Sequence, residues 1–223
     1  MTQTKAVNLT KHLLIDGPDD ASHVLLLAHG AGAGMDHEFM TSVAQHLAKA
    51  GILVVRFEFP YMIKRRADGR KYPPDRAPKA LLAFAEVTRY VQSLYTNKKL
   101  FIGGKSMGGR LASLLVGEDN APHNIEGIIC LGFPFVAPAK PDVYRGEQLN
   151  AIEIPTLIIQ GERDNFGGRE AIESYQFSDQ VSYKLLPDGD HSFKPRVKSG
   201  YTLAQNITTA CDTIIAFMTG KPL

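Results

Sequence analysis

Apolar residues in this chain fall into short unbroken runs separated by stretches of helical spacing. His23-Val-Leu-Leu-Leu-Ala28, Ile52-Leu-Val-Val-Arg-Phe57 and Leu100-Phe-Ile-Gly103 are runs of strand length, as are Gly127–Leu131, Thr156–Gln160 and Val181–Leu186. Strands that are apolar on both faces suit a parallel sheet covered by helices on both sides. Between the runs the period becomes helical. Phe39, Met40, Val43 and Leu47 share one helical face, with Gly51 as the stop. Further helices are expected from Pro78 to Leu94 and from Met107 to Val116. Leu203, Ile207, Ala210, Cys211, Ile214, Ile215 and Met218 make the last stripe, ended by Gly220 and Pro222.

Strand and helix alternating in this way predict a three-layer α/β fold with a mostly parallel central sheet and right-handed crossovers. Residues 7–15 are expected to add one or two edge strands. Two connections are long, Pro60 to Lys79 and Phe133 to Pro155. Neither has the length of a helical cap domain. Long connections at the carboxyl ends of such strands are where ligands bind.

Composition narrows the function classes. With 223 residues and 44% hydrophobic content, the chain can bury one sizeable core, and a single domain over residues 1–223 is expected. The 25 basic residues against 23 acidic ones leave a net charge of +2, too balanced for a dedicated nucleic-acid binder. No run approaches the roughly 18 apolar residues of a membrane helix, and Met1–Val7 has no apolar signal segment. A cytoplasmic protein without membrane or nucleic-acid partners is the expectation. Cys130 and Cys211 are far apart in apolar surroundings, which argues for buried thiols and against a disulfide framework or a zinc site.

The strongest local signal is Gly104-Lys105-Ser106-Met107-Gly108, between a predicted strand and a predicted helix. This is a G-x-S-x-G turn in the context it requires. Such a turn exposes the serine hydroxyl above the sheet, its flanking glycines relieve crowding, and the following helix aims its N-terminal amides at developing negative charge. A serine needs a base and an orienting acid. His191 lies in Asp188-Gly-Asp-His-Ser-Phe193, a turn-rich loop after the last strand, on the same sheet edge as Ser106. His12, His23, His46 and His123 fall in edges, strands or helices, and His37 opens the first helix. Gly161-Glu-Arg-Asp164 supplies the acid. Asp164 is preferred over Glu162 because it lies further into the loop, and over Asp190 because a carboxylate adjacent in sequence to the base rarely faces its ring.

The segment His29-Gly30-Ala31-Gly32-Ala33-Gly34 ends the first central strand. Backbone N–H groups in such a turn can hold an oxyanion without reorganising. The expected donors are Met107 and Ala31, with Gly32 as a substitute for Ala31. Tyr61, Phe133 and Phe135 are candidates for the substrate pocket. Arg65 and Arg66, in a basic stretch running from Lys64 to Arg76, are candidates for contacting an anionic substrate.

These segments together resemble the α/β-hydrolase superfamily over residues 13–218, and more narrowly its small lidless bacterial dienelactone-hydrolase-like branch. The matching stretches are His29–Asp36, Phe59–Met62, Gly103–Gly109, Gly161–Asp164 and Gly189–Phe193. The resemblance implies an α/β-hydrolase fold without a cap domain and a Ser106–Asp164–His191 triad, in agreement with the residue-level reading. Dienelactone hydrolases use a cysteine nucleophile where this chain has Ser106, so lactone specificity does not carry over. The expected activity is hydrolysis of a small-molecule ester, or a thioester or amide, through an acyl-enzyme, with no cofactor or metal.

Two rivals fall on single residues. A P-loop ending at Gly104-Lys105-Ser106 needs glycine at position 99, which is Lys99, and a dinucleotide fingerprint from Gly30 needs glycine at position 35, which is Met35. A catalytically idle hydrolase fold serving as an interaction module is the remaining alternative. Loss of a triad member would support it, and none is missing.

Overall fold

In the computed structural model, which describes residues 12–221, the apolar runs pair into one seven-stranded sheet. Its strands are β1 (Leu13–Asp16), β2 (His23–Ala28), β3 (Leu53–Phe57), β4 (Lys99–Lys105), β5 (Gly127–Leu131), β6 (Thr156–Gly161) and β7 (Val181–Leu186). They lie in the order β1-β3-β2-β4-β5-β6-β7. All neighbours are parallel except β1, which runs antiparallel to β3 at the edge. Of the edge strands expected in 7–15, residues 13–15 fall in β1, and residues 7–11 lie outside the described residues.

The helices are α1 (Glu38–Lys49), α2 (Pro60–Asp68), α3 (Ala77–Leu94), α4 (Met107–Leu115), α5 (Arg169–Ser174) and α6 (Leu203–Thr219). Strand alternation feeds two cores. On one face Val24, Leu26 and Ala28 of β2 pack in a cluster with Leu81, Phe84 and Val91 of α3 and Leu111 and Leu115 of α4. On the other, Leu25 and Leu27 join Met40, Val43 and Leu47 of α1 and Ile207, Cys211 and Ile214 of α6. Each large aliphatic or aromatic side chain so buried contributes about 1.5–3 kcal/mol, which is why the sheet is apolar on both sides. Cys130 and Cys211 are free and buried within these layers.

The connection after β3 departs from the sequence expectation, because its first half is α2. Pro60 stands in the first turn, where a missing N–H costs nothing, and Gly69 closes the helix in the left-handed region at φ 71°. The short α5 is likewise absent from the periodicity reading, since six residues give too few turns to show a stripe. Between β5 and β6 there is only a 3₁₀ turn at Glu147–Asn150. Among the described residues no insertion builds a cap over the sheet, and no helix is long and apolar enough to cross a membrane.

Candidate active site

The parallel register brings the carboxyl ends of the central strands to one edge. Ala28 lies beside Gly104, Lys105 beside Leu131, and Gly161 beside Leu186. The loops leaving these ends carry Ser106, Asp164 and His191. Ser106 sits between β4 and α4 at φ 52° and ψ −111°, a backbone state that L-residues avoid and that stores strain. Its neighbours make the tight turn sterically feasible. A Cβ on Gly104 would stand 2.4 Å from the Ala28 carbonyl oxygen, and one on Gly108 would stand 2.6 Å from the same atom.

The three side chains expected to act together do meet. His191 Nε2 lies 2.9 Å from Ser106 Oγ, and its Nδ1 lies 2.8 Å from Asp164 Oδ2. A carboxylate only accepts, so Nδ1 carries the proton and Nε2 is free to accept from the serine. Asp164 is buried and held on both oxygens. Gln160 Nε2 donates to Oδ2 at 2.9 Å, and the Phe166 N–H donates to Oδ1 at 2.8 Å. The rejected acids are occupied elsewhere. Asp190 Oδ1 accepts from the Ser192 and Lys194 amides, while Glu162 accepts from the Asp188 amide and pairs with Arg169.

Sequence reasoning missed two residues of this assembly. Gln160, fully buried at the end of β6, also donates to the Gly167 and Phe133 carbonyls and accepts from the Phe133 N–H. Its signal was a polar residue closing an apolar strand. Phe166 lies against His191 with ring centres 4.2 Å apart. No periodic signal marks it, because it sits in a turn.

Met107 opens α4, so its N–H has no carbonyl inside the helix to meet. Ala31 and Gly32 line the same cavity of about 350 Å³ as Ser106. Ala33, His37, Phe39, Met40, Lys105, Phe166, His191 and Ser192 also line it. His37 caps α1 as expected, its Nδ1 accepting from the Phe39 N–H. His29 is structural. Its Nδ1 donates to the Gly30 carbonyl, its Nε2 accepts from the Phe59 N–H, and burial lowers its pKa to about 4.

The expected substrate contacts are placed elsewhere. Phe133 and Phe135 are fully buried in the core and do not line this cavity, because their rings complete an aromatic cluster with Tyr144 and Tyr175. Tyr61 is buried in α2, with its hydroxyl donating to the Gly30 and Ala31 carbonyls at 3.1 and 3.0 Å. Arg65 donates from Nε to the Tyr72 carbonyl at 2.7 Å and lies over the Tyr61 ring. Arg66 Nε donates to both oxygens of the buried Glu58 at 2.7 Å, and its guanidinium also pairs with Asp36, whose carboxyl it holds below the usual range. Helix formation in α2 turned these cations toward the protein.

The structure resembles solved hydrolases over most of its length. The dienelactone hydrolase from Anabaena variabilis is 20% identical with a TM-score of 0.68, the match covering 92% of this chain and 91% of that one. A serine hydrolase without lid from Xanthomonas campestris is 18% identical with a TM-score of 0.67, covering 94% of this chain and 90% of that one. Est1E from Butyrivibrio proteoclasticus, solved with ferulic acid bound, is 16% identical with a TM-score of 0.68, covering 93% and 95%. At these identities the likeness speaks for the fold alone. The family model described as an alpha/beta hydrolase domain matches residues 21–219, and the chain therefore belongs to the α/β-hydrolase superfamily.

Proposed function

We propose that this protein is a serine hydrolase that cleaves small carboxylic esters through an acyl-enzyme. The observation that carries the reading is the unbroken line Asp164–His191–Ser106, with contacts of 2.8 and 2.9 Å, ending at the wall of a cavity. Ser106 Oγ attacks the ester carbonyl carbon as its proton passes to His191 Nε2. Asp164 holds the ring and stabilises the imidazolium. The N–H groups of Met107 and Ala31, with Gly32 as the alternative to Ala31, hold the oxyanion. Collapse expels the leaving alkoxide, which takes the proton from His191. Water then attacks the acyl-enzyme while His191 accepts its proton, and collapse releases the acid and restores the Ser106 hydroxyl.

None of these steps calls for a cofactor or metal. With no cap over the site and a cavity of about 350 Å³, short acyl groups fit better than long ones. The test is covalent labelling with a fluorophosphonate, with hydrolysis of nitrophenyl esters of graded length in parallel. Wild-type protein should be labelled and turn over short esters, and Ser106→Ala should do neither. Labelling that survives Ser106→Ala sinks the nucleophile, and a folded wild-type protein that resists label and hydrolyses nothing favours the idle interaction module.

A further inference from the structure

Gln160 stands next to the last residue of β6, and its side chain has no access to solvent. A polar group costs free energy in such a place unless its hydrogen bonds are met, and an aliphatic residue would fill the space without that cost. The partners of this amide fix which way round it lies. Oε1 accepts from the Phe133 N–H at 2.7 Å. Nε2 faces three acceptors, the Gly167 carbonyl at 2.7 Å, Asp164 Oδ2 at 2.9 Å and the Phe133 carbonyl at 3.1 Å. An NH₂ group has two hydrogens, so the two shorter contacts take one each and the longest shares. Turned over, the amide would set its oxygen against all three acceptors.

Asp164 Oδ2 is also the oxygen that accepts from His191 Nδ1 at 2.8 Å. Among the described residues His191 is its only ion-pair partner, and Lys105 feels the Asp164 charge only at a distance. The buried carboxylate therefore leans on two further donors, Gln160 on Oδ2 and the Phe166 N–H on Oδ1. The second belongs to the backbone of the turn. The first is a side chain, and the same amide ties the acid loop at Gly167 to the chain leaving β5 at Phe133.

We propose that Gln160 is a positioning residue of the triad, whose amide steadies the Asp164 carboxylate and keeps it aimed at His191. The proposal rests on the hydrolase reading above. As Ser106 attacks, His191 becomes an imidazolium and depends on Asp164 for its orientation and charge. A carboxylate short of one charge-assisted hydrogen bond, and free to turn, serves that state less well. Gln160 does not line the cavity. Its effect on turnover therefore passes through Asp164 and His191 and not through contact with substrate.

The test compares wild-type protein with Gln160→Met and Gln160→Glu on one short nitrophenyl ester from pH 6 to 9.5, with thermal melts at each pH. Methionine fills similar space and donates nothing. In that variant kcat should fall about ten- to a hundredfold, the span of a hydrogen bond to a charged group, with KM nearly unchanged. In Gln160→Glu one oxygen keeps the Phe133 N–H, and the other must carry a proton to meet the remaining acceptors. Burial and the Asp164 charge favour that protonated form. Gln160→Glu should therefore outpace Gln160→Met at pH 6 and lose its advantage as pH rises and the proton leaves. Rates are taken relative to wild type, which sets aside Lys105, whose pKa is lowered by burial to about 8 in a site common to all three proteins.

A folded Gln160→Met with kcat within twofold of wild type overturns the role, as does a loss carried by KM. Equal rates for the two variants at every pH also overturn it, because the donated proton then does not matter and the side chain only fills space. If Gln160→Met does not fold, the Gln160→Glu series decides alone, since the protonated carboxyl is an isostere of the amide. A rate equal to wild type across the whole range then sinks the proposal. Wild-type turnover with an unaffected Gln160→Met removes the role of Gln160 alone. No turnover of any ester by wild-type protein removes the hydrolase reading and this proposal together.

Discussion

The hydroxyl of Tyr61 donates to the carbonyl of Ala31 at 3.0 Å and ties α2 to the turn proposed to hold the oxyanion. Burial pushes the phenol pKa up, so the group remains a donor throughout the working range. Its second acceptor, the Gly30 carbonyl, also receives the His29 Nδ1–H. In the proposed mechanism Tyr61 would therefore act through the backbone and not through substrate. Tyr61→Phe should lower kcat roughly tenfold with little change in KM, since a loosened oxyanion turn weakens the transition state more than the ground state. A rise in KM alone would return Tyr61 to the substrate-contact role expected from sequence.

The choice of acid is tested by three isosteric changes. Asp164→Asn should cost about three to four orders of magnitude in kcat, because an amide can present its N–H to His191 and favour the wrong tautomer. Asp190→Asn keeps an acceptor oxygen for the Ser192 and Lys194 amides, and Glu162→Gln keeps one for the Asp188 amide. Both should retain activity within about fivefold. Steady-state kinetics on one short ester, with thermal melts as a control for folding, separates the three.

The contrast between Asp164 and Phe133 shows what was legible in the sequence. Order, turn context and sheet edge are enough to single out Ser106, Asp164 and His191 as candidates whose side chains meet in the structure, because each is fixed by local backbone chemistry at the end of a strand whose apolar run is visible. The mostly parallel sheet, the two covering layers and the missing cap follow from the same runs, whereas the strand order does not, because periodicity says nothing of which strands pair. Phe133, Phe135, Tyr61, Arg65 and Arg66 stand away from the cavity lining for one reason. The sequence places them on connections at the sheet edge, but the direction of a side chain there depends on tertiary neighbours. Pro60 was read as part of an irregular connection when it opened a helix, and that helix turned Tyr61 inward and brought Arg66 to Glu58. Lys105 stands within the motif, but only the structure shows that its amine is buried without a hydrogen-bond partner among the described residues.

Arg66 should matter to stability more than to substrate choice. Glu58 is buried with its side chain fully covered, and Arg66 supplies two hydrogen bonds to it as well as an ion pair to Asp36. Arg66→Ala leaves the Glu58 carboxylate with only a long contact of 3.4 Å from the Met35 N–H. Arg66 is 43% exposed, so water will replace part of the loss. A destabilisation of about 1–3 kcal/mol in urea is expected. Stability unchanged by Arg66→Ala would show that water satisfies Glu58 as well as the guanidinium does.

His29 links stability to acid. Its pKa is lowered from 6.5 to about 4, chiefly by burial, partly offset by the bond to the Gly30 carbonyl. The folded state therefore binds this proton less readily than the unfolded chain. Its contribution is fully present above about pH 6.5 and is lost as pH falls toward 4, a swing on the order of 3 kcal/mol. Urea unfolding measured across that window should show the decline, and His29→Asn, less stable at neutral pH, should show a shallower one. An equally steep decline in the variant would assign the effect to other groups.

The strain at Ser106 gives the last prediction, because it separates stability from activity at one atom. The residue is held at φ 52° by Gly104 and Gly108 packing against the Ala28 carbonyl, and by its own N–H donating to the Leu131 carbonyl at 2.9 Å. A non-glycine residue in such a conformation costs about 1–3 kcal/mol. Ser106→Ala and Ser106→Gly both remove the proposed nucleophile and the bond to His191, so both should be inactive. They differ in the Cβ. Alanine keeps the steric clash, whereas glycine relieves it at the expense of about 0.5–1 kcal/mol of extra freedom in the unfolded chain. Relief exceeds that cost, so Ser106→Gly should be more stable than Ser106→Ala by about 1 kcal/mol. Urea midpoints at equal m-values give the comparison directly. If alanine proves as stable as glycine, the turn stores no strain, and the exposed position of the hydroxyl is held by packing alone.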